Sequence, residues 1–162
     1  MDEWRAVLKW TKEPEVTLLC WGGVFNGVWE FLHSPLYTDH SRGAWYIIWT
    51  RLHCTVGDLM ILLAAFWVTC LVFRTRYWLR QPRMLAAAVF AAIGLGYTVY
   101  SEWHNTAVSK TWQYAPLMPV IFGIGLSPLL QWVVIPPAVM WLVHRRLART
   151  PASVTPRETA IP

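Results

Sequence analysis

Two acidic side chains, Glu30 and Asp58, lie deep inside long apolar segments of this 162-residue sequence. A charged side chain at the centre of a membrane helix costs roughly 2.5–3.5 kcal/mol on insertion scales, so such residues persist where they face a protein interior. Carboxylates and imidazoles in such a pocket can exchange protons with a bound substrate. We therefore predict Glu30, Asp58, His53 and Glu102 as catalytic residues.

Three further polar residues in the apolar segments are predicted to bind the substrate, namely Asn26, Arg51 and Gln131. Arg51 could hold a phosphate or carboxylate group. It could equally form a structural ion pair with Asp58, because the two residues are two helical turns apart on one face. Nucleophile-elbow, phosphate-loop and zinc-protease motifs do not occur in the sequence.

The same residue types also allow a metal site, which is our alternative prediction. His33, His53 and His104 come from three different apolar segments, and imidazole with carboxylate suits a transition metal such as Zn, Fe, Mn or Cu. Glu30 or Asp58 could complete the ligand set. The spacing Glu30-x-x-His33 occurs once, whereas di-metal four-helix proteins carry this motif on two helices.

The composition indicates that a lipid bilayer surrounds the elements that carry these residues. The chain is 56% hydrophobic and 14% charged, whereas soluble domains have roughly 25% charged residues. A helix needs about 20 apolar residues to cross a bilayer. Four segments qualify, at about 15–33, 47–73, 84–104 and 117–144.

These segments predict an all-α fold, a transmembrane four-helix bundle in one domain over residues 1–149. Pro128, Pro136 and Pro137 lie in the fourth segment, so we expect that helix to be kinked or broken. The tail from 150 to 162 is rich in Pro, Ser, Thr and Ala and is predicted to be a disordered cytoplasmic segment.

The basic residues predict the orientation, because cytoplasmic loops of membrane proteins are enriched in Lys and Arg. An even number of spans puts both termini on one side, and most basic residues then share that side. These are Arg5, Lys9, Lys12, Arg74, Arg76, Arg80, Arg83, Arg145, Arg146, Arg149 and Arg157. Only Arg42, Arg51 and Lys110 fall on the other side. We expect both termini in the cytoplasm, and this distribution argues against a nucleic-acid partner.

With this topology, the ionisable residues gather at the non-cytoplasmic ends of the four segments. We therefore predict one pocket near the periplasmic leaflet, lined by Glu30, His33, Arg51, His53, Asp58, Glu102 and His104. The cytoplasmic halves are almost free of ionisable groups, which disfavours an ion pathway across the whole membrane.

Several stretches resemble the signature blocks of a family of small bacterial four-span integral membrane proteins with no assigned activity. They are WEFLHSPLYTDH (29–40), RLHCTVGDLMI (51–61), YSEWHNT (100–106) and, within 112–137, WQYAPLMPVI and GIGLSPLLQWVVIPP. The resemblance implies the bacterial inner membrane and carries over no catalytic residue.

Three functions therefore fit the sequence. The leading prediction is a multi-pass inner-membrane protein that binds, or acts as an enzyme on, a lipid-like substrate. The alternatives are a transition-metal-binding membrane protein and a non-catalytic subunit of a larger membrane complex. Membrane lipids are the predicted partners, and a homo-oligomer is a further prediction.

Overall fold

The computed structural model describes residues 13–149 of the chain. The basic residues Arg5, Lys9 and Lys12, and the tail from 150 to 162, lie outside the described residues. The described part is mostly helical. Its four long helices are α1 (Pro14–His33), α2 (Ala44–Phe73), α3 (Met84–Trp103) and α4 (Leu126–Ala148).

Short irregular elements connect the helices. The α1–α2 connection contains two 3₁₀ turns, Ser34–Leu36 and Thr38–Arg42. A third 3₁₀ turn, Trp78–Arg80, lies between α2 and α3. A π-helical turn, His104–Val108, follows α3, and a two-stranded antiparallel hairpin, β1 (Val120–Ile121) and β2 (Ile124–Gly125), precedes α4.

The first three helices agree closely with the predicted segments, and the fourth differs in two respects. α4 begins at Leu126 rather than near 117, because the preceding residues turn back on themselves at Phe122 and Gly123, both with positive φ. The predicted break at the prolines does not occur, and the predicted kink stays a prediction. α4 is continuous through Pro136 and Pro137, and Ile135 and Val139 on either side are packed in the core.

Within the described residues, three helices are long and apolar enough to cross a membrane: α2, α4, and α3 extended through its π-helical turn. The 20-residue α1 is not in this group, although about 30 Å of helix would reach across a bilayer core. Its side chains Glu15, Asn26, Glu30 and His33 lower its hydropathy, and all four are buried.

The helices pack in a ring, in which α1 contacts α2 and α4, and α3 contacts the same two helices. A shared apolar core includes Leu62, Phe66, Phe90 and Val139. α3 and α4 approach closely at Gly94, where an added Cβ would lie 1.8 Å from the Trp132 ring.

The distribution of polarity is inverted relative to a water-soluble protein. Polar side chains such as Thr69, Asn26 and Arg51 are buried, whereas many large apolar side chains are exposed on the helix surfaces. Apolar side chains exposed in such number are typical of a membrane-facing or protein-interaction surface.

Candidate functional site

A cavity of about 620 Å³ lies among the four helices. It is the size of a typical small-ligand pocket, which occupies roughly 300–1,000 Å³. Seven of the predicted site residues line it: Glu30, His33, Arg51, His53, Asp58, Glu102 and Gln131. The structure therefore gathers groups that are up to 101 positions apart in the chain (30 to 131) around one space.

Arg51 is the central charged group at one end of the cavity, which we call the polar end. Its Nη2 atom donates to Asp39 Oδ2 at 2.6 Å, and its Nη1 atom lies 3.6 Å from Glu30 Oε2. Its guanidinium also lies over the Tyr37 ring, 5.2 Å from the centroid. Arg51 and Glu30 are 3% and 4% exposed, so this ion-pair cluster is sheltered from solvent. The pairing of Arg51 with Asp58, one of the two interpretations of the sequence, does not occur.

The Glu30 carboxylate also contacts an imidazole on its own helix. His33 Nε2 lies 3.1 Å from Glu30 Oε2, one helical turn away. His33 Nδ1 is 3.0 Å from Ser127 Oγ, which accepts a hydrogen bond from Trp29 Nε1 at 3.2 Å. Since the Trp29 N–H occupies one acceptor position of Ser127, the Ser127 hydroxyl is free to donate to His33 Nδ1. His33 therefore links the Glu30 carboxylate of α1 to Ser127 of α4.

Asp58 is held by an amide rather than by a cation. Gln131 Nε2 donates to Asp58 Oδ2 at 2.8 Å and to Asn26 Oδ1 at 2.9 Å. The Asn26 amide nitrogen in turn donates to the Gly22 carbonyl at 2.9 Å. Asn26 therefore lies behind the cavity wall, where it orients Gln131, and does not line the cavity itself.

Glu102 receives two hydrogen bonds from the connection that follows α3. Tyr114 Oη donates to Glu102 Oε2 at 2.5 Å, and Trp112 Nε1 lies 3.4 Å from the same oxygen. The Tyr114 hydroxyl also accepts the Gly125 N–H at 2.9 Å. Burial raises the pKa of Tyr114, and its hydrogen bond to the Glu102 carboxylate raises this pKa further. The phenol is therefore a neutral donor at physiological pH.

Tyr37 lies between these clusters, in the α1–α2 connection. Its ring centroid is 5.2 Å from that of His33 and 5.7 Å from that of Tyr114. Burial raises the pKa of Tyr37, and the charges of Glu102 and Glu30 raise it further.

Four buried polar atoms at this end have no hydrogen-bond partner within residues 13–149. They are Glu30 Oε2, His33 Nε2, Asp39 Oδ1 and Arg51 Nε. The contact between Glu30 and His33 is close enough for an ion pair, but its geometry is not that of a hydrogen bond. Native proteins satisfy the large majority of buried polar atoms with hydrogen bonds. Four unsatisfied atoms at one end of a cavity therefore call for an explanation.

The opposite wall of the cavity is apolar. Met60, Ile61 and Ala64 of α2 face Ile93 of α3 and Trp132 of α4. Met60 is 67% exposed and Ala64 is also exposed, as is the cavity-lining Tyr97 of α3. The cavity therefore reaches the lateral surface of the molecule between α2 and α3.

The histidines predicted as metal ligands are not brought together. Among the described residues, no group of three or more His, Cys, Asp and Glu side chains has the geometry to hold a metal ion. His104 does not line the cavity and lies instead in the π-helical turn, with its ring 5.9 Å from that of Tyr100. His53 lines the cavity but is exposed, and both ring nitrogens of His33 face protein groups.

Sequence reasoning missed several residues of the site because they belong to connections or had another interpretation. Asp39 passes for a loop residue, and Trp112 and Tyr114 pass for aromatic residues at the membrane interface. One signal in the sequence pointed to Asp39. It lies twelve residues before Arg51, whose charge needs a carboxylate partner inside an apolar segment.

Comparisons with protein families, with curated proteins and with solved structures find no match to this chain.

Proposed function

We propose that this protein is a four-span membrane protein that binds a lipid-like, amphipathic molecule in the cavity between α2 and α3. The observation that carries the proposal is one cavity with an ion-pair cluster at one end and an apolar wall that reaches the lateral surface. An amphipathic molecule would place its head group at Arg51 and Glu30. Its chain would lie against Met60, Ala64 and Ile93.

The polarity of α1 supports its role as the fourth span. Its polar residues Asn26, Glu30 and His33 are buried, whereas Val24 and Leu32 are 54% and 75% exposed. A helix in water would show the opposite arrangement, with polar residues outside. Polar groups inside and apolar groups outside are what a helix in lipid requires.

We place both termini in the cytoplasm of a bacterial inner membrane and the polar end of the cavity near the periplasmic leaflet. The described basic residues support this orientation, because the α2–α3 connection and the end of α4 carry seven arginines.

Cysteine labelling tests the orientation in a chain whose own three cysteines are replaced by serine. An impermeant maleimide should label Lys110→Cys in cells with a permeabilised outer membrane, and should label Arg83→Cys only after the inner membrane is opened. The reverse pattern would invert the topology.

A blocked cavity mouth tests ligand binding. Ala64 lines the cavity and is exposed, whereas Val68, one turn further along α2, is exposed outside it. Ala64→Trp should abolish saturable binding of a fluorescent acyl-chain probe to the detergent-solubilised protein. Val68→Trp should bind like the wild type. Equal binding by both variants would show that the probe associates with the outer surface, and the proposal would fail.

A second candidate function is catalysis on the bound molecule, and the Glu30–His33 contact favours it. A carboxylate 3.1 Å from an imidazole can pass a proton to and from a substrate. Cells lacking the protein would be complemented with wild type, with His33→Gln, or with His104→Gln as a matched control outside the cavity. An enzyme predicts a changed lipid profile that wild type and His104→Gln restore and His33→Gln does not. Restoration by all three would leave binding as the function.

A further inference from the structure

We propose that the cavity selects lipid-like molecules with a primary ammonium head group, held by the carboxylates of Glu30 and Asp39. This inference rests on the proposed function, because it specifies the head group of the molecule that the cavity would bind.

The balance of charges in the cavity favours a cation. Four carboxylates line it, whereas its basic lining residues are the guanidinium of Arg51 and the imidazoles of His33 and His53, so carboxylates outnumber the one permanent cation. Carboxylates in an apolar surrounding need a compensating charge or a proton. An ammonium group supplies that charge, whereas a phosphate or carboxylate head group would add to the excess.

Arg51 is poorly suited to receive an anion. Its Nη2 atom is committed to Asp39 at 2.6 Å, and its Nη1 atom faces Glu30 at 3.6 Å. An anionic head group would have to displace one of these carboxylates. The sequence-based assignment of Arg51 as a phosphate holder is therefore replaced by a structural role, in which Arg51 positions two carboxylates around itself.

The unpartnered atoms specify hydrogen-bond donors on the ligand. Glu30 Oε2 and Asp39 Oδ1 are acceptors without a hydrogen bond in the described part of the chain, and both residues are at least nine-tenths buried. Their carboxylates contact the same guanidinium, so they lie at one end of the cavity. A primary ammonium has three N–H donors, and can serve both acceptors. A trimethylammonium group carries the same charge but has no N–H donor.

The unpartnered Arg51 Nε atom indicates which group lies beside the ammonium. Arg51 Nε carries a proton and has no acceptor among residues 13–149. A neutral hydroxyl or ester oxygen next to the amine would satisfy it without adding negative charge to the cavity.

The test uses the full-length protein in dodecyl maltoside micelles and measures the melting temperature. Dodecylamine, dodecyltrimethylammonium, dodecanol and dodecyl phosphate are added at equal mole fraction, so that the chain stays constant and the head group varies. We expect dodecylamine to raise the Tm by about 5 °C, and the other three by less than half as much. Glu30→Gln should lose this shift. Glu15→Gln is the matched control, because Glu15 is a buried carboxylate of α1 that pairs with Arg76, away from the cavity.

The outcomes separate this inference from the proposed function. An equal shift with dodecanol, or a larger one with dodecyl phosphate, would overturn the ammonium preference and leave an amphiphile-binding cavity. An equal shift with dodecyltrimethylammonium would show that charge alone matters and would overturn the role of the N–H donors. If Glu30→Gln keeps the Tm shift with dodecylamine, the amine binds elsewhere and the proposed role of Glu30 is overturned. No shift with any of the four amphiphiles would overturn the proposed function as well.

Discussion

The Nη2 atom of Arg51 lies 2.6 Å from the Oδ2 atom of Asp39, so a loop carboxylate neutralises a guanidinium buried in the first half of α2. Both residues are at least nine-tenths buried. The pair therefore does two things at once, because it closes the α1–α2 connection over the cavity and it cancels a charge that the apolar surroundings would not tolerate.

Removing the Asp39 carboxylate should destabilise the protein. Asp39→Asn leaves the longer contact to Glu30 as the carboxylate contact of Arg51, so we expect a loss of about 3 kcal/mol in the free energy of unfolding. Unfolding in mixtures of dodecyl sulfate and dodecyl maltoside measures this loss. Ser41→Ala in the same connection is the control, because its hydroxyl makes one exposed hydrogen bond. The double variant Asp39→Asn/Arg51→Gln should lose less than the two single losses together, and strict additivity would show that the pair is not coupled.

Gln131 makes a second connection across the helices, and its loss should also be measurable. Its amide nitrogen serves both Asn26 and Asp58, so Gln131→Leu leaves one buried and one partly buried acceptor without that donor. An unsatisfied buried group costs about 1–3 kcal/mol. We expect Gln131→Leu to lower the free energy of unfolding by about 2 kcal/mol in the same titration. Gln113→Leu, at an exposed position, should be close to neutral. A neutral Gln131→Leu would mean that the two acceptors find other donors.

Much of the fold follows from the sequence because apolar length and polar spacing are local properties. The ends of α1, α2 and α3 agree with the predicted segments to within a few residues. Asn26, Glu30 and His33 share a buried face of α1, as their spacing requires. The start of α4 could not be predicted in the same way, since the residues of the hairpin before it are as apolar as a helix.

The partners within the site depend on tertiary contacts and were less predictable. Helical spacing alone favoured Asp58 as the partner of Arg51, but the connection before α2 brings Asp39 closer. Tyr114 reaches Glu102 because the chain after α3 folds back over the cavity. Helical spacing in the sequence does not predict such a fold of a connection. Hydropathy and polar spacing therefore predicted many of the residues that line the cavity, and the folding of the connections decided their contacts.

The Tyr114 hydroxyl should give the stability a pH dependence at alkaline pH. Its pKa is raised in the folded protein relative to the unfolded chain, by burial and by Glu102. The resulting stabilisation is fully present below the unfolded pKa of about 10 and is lost as pH rises further. The Tm difference between wild type and Tyr114→Phe should be constant from about pH 7 to 9 and should shrink above about pH 10.

The comparison between variants isolates this effect from the titration of other groups. Tyr100→Phe is the control, because Tyr100 is 56% exposed and its ring lies beside the rings of Trp103 and His104, away from Glu102. Its Tm should stay parallel to that of the wild type over the whole range. A Tyr114→Phe curve that also stays parallel would show that the hydrogen bond to Glu102 does not shift the ionisation of the phenol.

The close approach of α3 and α4 depends on one glycine, and a neighbouring glycine offers a matched comparison. An added Cβ at Gly94 would lie 1.8 Å from Cζ3 of Trp132, whereas one at Gly96 would meet no atom within 4 Å. Trp132 is 3% exposed and lines the cavity, so its ring can move only into that space or by separating the helices.

We expect Gly94→Ala to lower the free energy of unfolding by about 2–3 kcal/mol. Gly96→Ala should be neutral or stabilise by up to about 1 kcal/mol, because alanine costs less backbone entropy in a helix. Adding Trp132→Phe to Gly94→Ala should recover part of the loss, since a smaller ring leaves room for the methyl group. Equal stability of the two alanine variants would show that α3 and α4 are not held together at this contact.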